Sequence, residues 1–99
     1  MAELRTYVSK VRSKNAGPFW LTIDIFCGST EAFATVSARL KTAQIAAAFG
    51  VDPSVLKRFD IANLNVVKFS LPRPQVQGAA ADTDMHGASW AALIGEIDL

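Results

Sequence analysis

The sequence predicts an α+β fold, a mostly antiparallel sheet with helices on one face. Three patterns carry that reading. Residues 19–27 alternate, with Phe19, Leu21, Ile23, Ile25 and Cys27 on one side and Trp20, Thr22, Asp24 and Phe26 on the other. Phe33, Val36 and Leu40 recur at helical spacing. Residues 63–71 alternate again, with Val67, Phe69 and Leu71 opposed to Val66, Lys68 and Ser70.

The elements follow in order. Residues 7–11 are a short strand candidate, with Tyr7, Ser9 and Val11 on one side. A polar loop, Arg12-Ser13-Lys14-Asn15-Ala16-Gly17-Pro18, leads into the strand of residues 19–27. Gly28-Ser29-Thr30 ends that strand, and Ser29 or Thr30 can cap a helix whose first turn holds Glu31. Thr42 can cap a second helix, with Ile45 and Phe49 on one face and Gly50 as its stop. Asp52-Pro53 reads as an N-cap followed by proline at the first helical position, giving one short turn. Residues 55–61 are an ambiguous strand, and residues 63–71 a clearer one that Pro72-Arg73-Pro74 stops. Residues 75–81 offer little to anchor them. A helical turn through Trp90 and a last strand over residues 93–99 complete the chain. On this layout the uncovered sheet face carries Trp20, Thr22, Asp24, Phe26, Lys68 and Glu96. Trp20, Asp24, Phe26 and Lys68 are its interface residues, because mixed polarity with two aromatics suits a contact surface.

Composition narrows the function. The 99 residues make one domain, 1–99, with no internal repeat. A hydrophobic share of 51% with a mean hydropathy of +0.24 is high for so thin a core, and it leaves apolar surface for a partner or for self-association. Ten Lys and Arg against nine Asp and Glu give a net charge of +1, which offers no footprint for nucleic acid. Cys27 is the only cysteine, so an intrachain disulfide and a cysteine-rich zinc site are excluded. Residues 1–5 lack the apolar run of a signal peptide, and no apolar stretch approaches a membrane span. The expectation is a cytoplasmic protein without a cofactor or metal.

The loop is the first candidate site. Arg12 presents a planar fork to a carboxylate or phosphate, Lys14 adds a point charge, and Ser13 and Asn15 add neutral hydrogen bonds. Gly17 lets backbone approach a ligand. The plainer alternative is a polar loop whose cations are only solvated, and spacing alone leans that way. Asp82, Asp84 and His86 alternate along an extended stretch, so a proton-sharing or metal-binding set is conceivable. One histidine is too few for a complete metal site, and an aspartate-rich turn explains the same residues. Asp24 and Lys68 are expected to form a structural ion pair. Cys27 reads as a buried, inert thiol.

The run from Arg12 to Phe19, then Leu21-Thr22, Asp24-Ile25, Leu71-Pro72-Arg73-Pro74, Asp82-Thr83-Asp84 and Gly87-Ala88, resembles a small bacterial domain-of-unknown-function family. Its members accompany AtuA-like (acyclic terpene utilisation) proteins. The likeness runs through nearly the whole chain in order. Asp84-Met85-His86-Gly87 and the Arg12 loop also resemble the ferredoxin-like C-terminal domain of AtuA-type proteins. There a lysine often follows the glycine, where this chain has Ala88, and in the small family an aromatic commonly stands at the place of His86.

The resemblance implies a small ferredoxin-like sandwich working as an accessory subunit beside an AtuA-like large subunit. It implies catabolism of carboxylate or acyl-CoA compounds by hydratase, lyase or isomerase chemistry. The chain is then part of a heteromeric enzyme rather than an enzyme alone. Arg12, Ser13, Lys14, Asn15 and Gly17 bind the anionic group, and Arg73 with residues 82–86 closes over it. The alternative is a homo-oligomeric binding or scaffold module with no catalytic part. An enzyme acting alone through Asp82, Asp84 or His86 is the least supported reading, because no triad-like set accompanies them.

Overall fold

The structure is a computed structural model and describes residues 2–16, 19–72 and 87–99. A single 3-10 turn, Leu4–Thr6, precedes the hairpin of β1 (Lys10–Asn15) and β2 (Trp20–Phe26). Two helices follow, α1 (Thr30–Arg39) and α2 (Thr42–Phe49). A second 3-10 turn, Pro53–Val55, leads to β3 (Lys57–Ile61), and Ala62–Leu64 turns the chain into β4 (Val66–Pro72). Helix α3 (Gly87–Gly95) is the last element.

The four strands form one sheet in the order β1-β2-β4-β3, with every neighbouring pair antiparallel. The α+β class is therefore as the periodicities predict. The described elements run β-β-α-α-β-β-α, which is not the β-α-β-β-α-β order of a ferredoxin-like sandwich.

Alternation decides which face is buried. Leu21, Ile23 and Ile25 of β2 and Val67, Phe69 and Leu71 of β4 lie at 0–1% exposure. They form one core cluster with Val36 of α1, Leu40 just after it, Ile45 and Phe49 of α2 and Ile94 of α3. Burying such side chains is worth about 1.5–3 kcal/mol each, so this inner face holds the sheet against the helices.

Local chemistry sets the helix ends. Ser29 is extended and its hydroxyl accepts from the Ala32 amide at 3.0 Å, as its capping role predicts. Thr42 opens α2 without capping it. Instead the Lys41 amide donates to Gln44 Oε1 at 2.8 Å. Gly50 closes α2 at φ 69°, the left-handed region where a side chain is disfavoured. Asp52 caps the Pro53–Val55 turn by accepting from the Ser54 amide, and that bond holds its carboxyl below the ordinary value.

Several boundaries differ from the sequence reading, and β3 and β4 start later than expected, at Lys57 and Val66, because Pro53–Val55 and Ala62–Leu64 form 3-10 turns. β1 begins at Lys10 and runs to Asn15, because residues 10–15 pair in unbroken register with β2. Phe19 is 63% exposed, since the inward row starts at Leu21. The last strand expected over residues 93–99 is not formed: residues 93–95 end α3, Glu96 lies in the turn after it rather than on the sheet, and only Asp98 keeps a sheet contact, a lone antiparallel bridge to Glu3. Two backbone bonds hold that clasp, from the Leu4 amide to the Ile97 carbonyl at 2.6 Å and from the Leu99 amide to the Ala2 carbonyl at 3.0 Å.

Candidate functional site

Register places the predicted residues. Arg12 stands opposite Asp24, Asp24 opposite Lys68, and Lys68 opposite Phe59. The next row is Lys14, Thr22, Ser70 and Lys57. The row on the other side is Lys10, Phe26, Val66 and Ile61. Residues directly opposite share a face, as do residues two apart along a strand. All three rows therefore lie on the sheet face turned away from the core.

This merges two sets that the sequence reading kept apart. Arg12 and Lys14, predicted to bind a ligand, stand with Trp20, Asp24, Phe26 and Lys68, predicted to form an interface. It also corrects the loop. Arg12, Ser13, Lys14 and Asn15 belong to a paired strand, so they alternate rather than converge. Ser13, at 9% exposure, falls on the inner side with Val11. Arg12 and Lys14 therefore share one face of the strand while Ser13 lies on the other. Gly17, Arg73, Asp82, Asp84 and His86 lie outside the described residues.

The face has a marked charge balance. Lys10, Arg12, Lys14, Lys57 and Lys68 share it with a single carboxylate, Asp24. Along β1 the three cations stand about 6.7 Å apart, the two-residue repeat of a strand. The near-neutral net charge of the chain hides this, because the balancing acids lie elsewhere. Asp24 faces Arg12 on one side and Lys68 on the other, yet no ion pair joins it to either among the described residues. The expected Asp24–Lys68 pair is thus a register neighbour and not a salt bridge.

Aromatic groups complete the face. Trp20 is 40% exposed and Phe59 is 48% exposed. The Lys57 ammonium lies 5.8 Å from the centre of the Trp20 ring. Lys57 and Trp20 are on strands that flank β4, so this cation–π contact crosses the width of a strand and holds the lysine over the sheet. Lys10, Lys57 and Phe59 had not been singled out from the sequence. The signal was present as Lys10-x-Arg12-x-Lys14 and Lys57-x-Phe59-x-Ile61, each a period-2 row that becomes legible once the strand boundaries are right.

Two polar groups on the inner side are structural. Arg58 and Asp60 pair at 2.7 Å beside the end of α1. The Arg58 bond holds the Asp60 carboxyl below its ordinary value; burial opposes this, and the Ser37 hydroxyl adds a second favourable bond. Cys27 is 3% exposed, and burial, with a smaller contribution from Asp60, pushes its thiol up. A protonated, covered thiol is inert at neutral pH, as the sequence suggested.

Among the described residues no helix is long and apolar enough to cross a membrane. Neither the curated proteins nor the solved structures compared with this chain contain a match. The profile of one family, described as Domain of unknown function (DUF4387), matches residues 4–97. A match over nearly the whole chain, taking in both hairpins and the three described helices, places it: the protein belongs to the DUF4387 family.

Proposed function

We propose that this protein is a small accessory subunit that docks through its open sheet face onto a larger, acidic partner. The partner proposed is an AtuA-like large subunit, and the pair acts in catabolism of carboxylate or acyl-CoA compounds by hydratase, lyase or isomerase chemistry. The observation that carries the docking reading is the single face on which Arg12, Lys14, Lys57 and Lys68 surround exposed Trp20 and Phe59. Aromatic anchors ringed by charge are the usual make-up of a contact surface.

The same face argues against self-association. Two copies pressed together there would set like charges against one another, with one carboxylate each to offset them. A partner rich in Asp and Glu gains where a second copy loses.

The test is co-expression with an AtuA-like large subunit, followed by size-exclusion chromatography. A co-eluting complex is expected, and Trp20→Ala with Phe59→Ala should disperse it while the free chain stays folded. Separate elution of the unsubstituted proteins, or a stable homo-oligomer burying both aromatics by light scattering, overturns the reading.

A further inference from the structure

A second site lies at the seam between the first strand and the last helix, where a cavity of about 320 Å³ opens. That volume is at the lower end of the range for small-molecule sites. Its apolar lining is Val8, Val11, Ala91, Ala92 and Gly95, and its polar lining is Arg5, Ser9, Lys10 and Glu96. The polar residues are all exposed, so they form the rim, while Val8, Val11 and Ala91 are half-buried beneath them.

The rim charges are not equivalent. Arg5 is already engaged with Glu3 at 2.6 Å, and Ser9 Oγ donates to the Phe26 carbonyl at 2.9 Å. Lys10 and Glu96 form no ion pair, with each other or elsewhere, among the described residues. A cation and an anion thus stand apart at the mouth of one apolar cavity. The room comes partly from Gly95, where an added Cβ would sit 3.4 Å from Arg5 Cβ.

We infer that this cavity binds a small carboxylate bearing an amine or hydroxyl on the adjacent carbon and a short apolar chain. The carboxylate meets Lys10, the neighbouring donor meets Glu96, and the chain lies against Val8, Val11 and Ala91. Either donor satisfies Glu96, and an ammonium does so with charge, so the amino form binds most tightly. This site goes beyond the docking reading and needs only the chain itself, although Lys10, at the start of β1, also belongs to the outer sheet face.

The experiment titrates the full chain with three matched probes, leucine, 2-hydroxy-4-methylpentanoate and 4-methylpentanoate, following amide shifts by NMR. Saturable binding is expected in the order given. Lys10→Ala should weaken leucine about tenfold, the loss of one charge-assisted contact. Glu96→Gln should remove the preference for leucine over 4-methylpentanoate, and Ala92→Leu should block all three probes while circular dichroism stays unchanged. Absence of saturation by every probe, equal affinity for the three, or indifference to Lys10→Ala and Glu96→Gln each overturns the inference. A chain that binds leucine but fails to co-elute with the large subunit keeps this site and loses the docking proposal; the reverse result does the opposite.

Discussion

The Arg58 guanidinium donates from Nη1 to the carbonyl oxygen of Leu40 at 2.7 Å. Nη2 reaches the Ser37 carbonyl at 3.1 Å, and Nε meets Asp60 at 2.7 Å. The carbonyls at a helix end have no partner within the helix and carry its negative pole, so a planar cation is a fitting cap. The guanidinium carbon also lies 5.5 Å from the centre of the Phe69 ring, which places it over the core. One side chain of β3 thereby ties α1 to the sheet.

Arg58→Ala should destabilise the chain by about 2 kcal/mol, since two carbonyls and a carboxylate lose a charged donor. Arg58→Lys should recover only part of that, because an ammonium cannot reproduce the fork. Urea denaturation followed by circular dichroism measures both. A loss for Arg58→Ala within about 0.5 kcal/mol, the range of an ordinary surface change, would count against the clamp.

Acid should loosen the same clamp. The folded carboxyl of Asp60 lies below its ordinary value of 3.8, chiefly through Arg58. The unfolded chain therefore takes up that proton first as pH falls. The contribution is complete above the ordinary value and is lost as pH drops through the folded one. The urea midpoint should fall between about pH 7 and about pH 3 by more in the unsubstituted chain than in Asp60→Asn. Equal falls would show that other groups carry the acid sensitivity.

Cys27 should resist a thiol reagent in the folded chain and react when urea is added. Its burial at 3% exposure and its raised pKa both withhold the thiolate. Native-state labelling as fast as labelling of the unfolded chain would contradict the placement of Cys27 in the core.

Two glycines should differ in their tolerance of alanine. Gly50 has φ 69° with open space where a Cβ would stand, so Gly50→Ala meets only the left-handed backbone cost, about 1–2 kcal/mol. Gly28 has φ 86°, and its added Cβ would lie 3.1 Å from Ser9 Cβ. Gly28→Ala should therefore lower the thermal midpoint more than Gly50→Ala. The opposite order would mean that Ser9 yields easily.

Phe59→Ser should leave the thermal midpoint nearly unchanged, within about 0.5 kcal/mol, because its ring is 48% exposed. A large loss of stability would mean that Phe59 holds the fold rather than waiting for a partner.

The inner face was legible because burial imposes strict alternation: Leu21, Ile23, Ile25, Val67, Phe69 and Leu71 all lie where period 2 puts them. The caps at Ser29, Gly50 and Asp52 were legible because each answers a local backbone need. The candidate site was half legible. Arg12 and Lys14 look like a loop in sequence, since polar residues beside Gly17-Pro18 suggest a turn, and an edge strand with one open face has no hydrophobic run to betray it. Lys57 and Phe59 could not be joined to Arg12 from sequence, because only the β2–β4 pairing brings their strands into one sheet. The Arg58 clamp was invisible for the same reason: its carbonyl partners are backbone, and backbone carries no residue signature.

The sheet's order also has a kinetic meaning. Each outer pairing, β1 with β2 and β3 with β4, joins neighbours along the chain and can zip early. The central seam of β2 against β4 joins segments on opposite sides of two helices, so it closes only after a long stretch of chain has been gathered in. Until then, each hairpin carries a raw inner edge and a row of uncovered aliphatic side chains. The slow moment of folding should be the meeting of the two hairpins, and that is when the chain is most exposed to mispairing with its own copies.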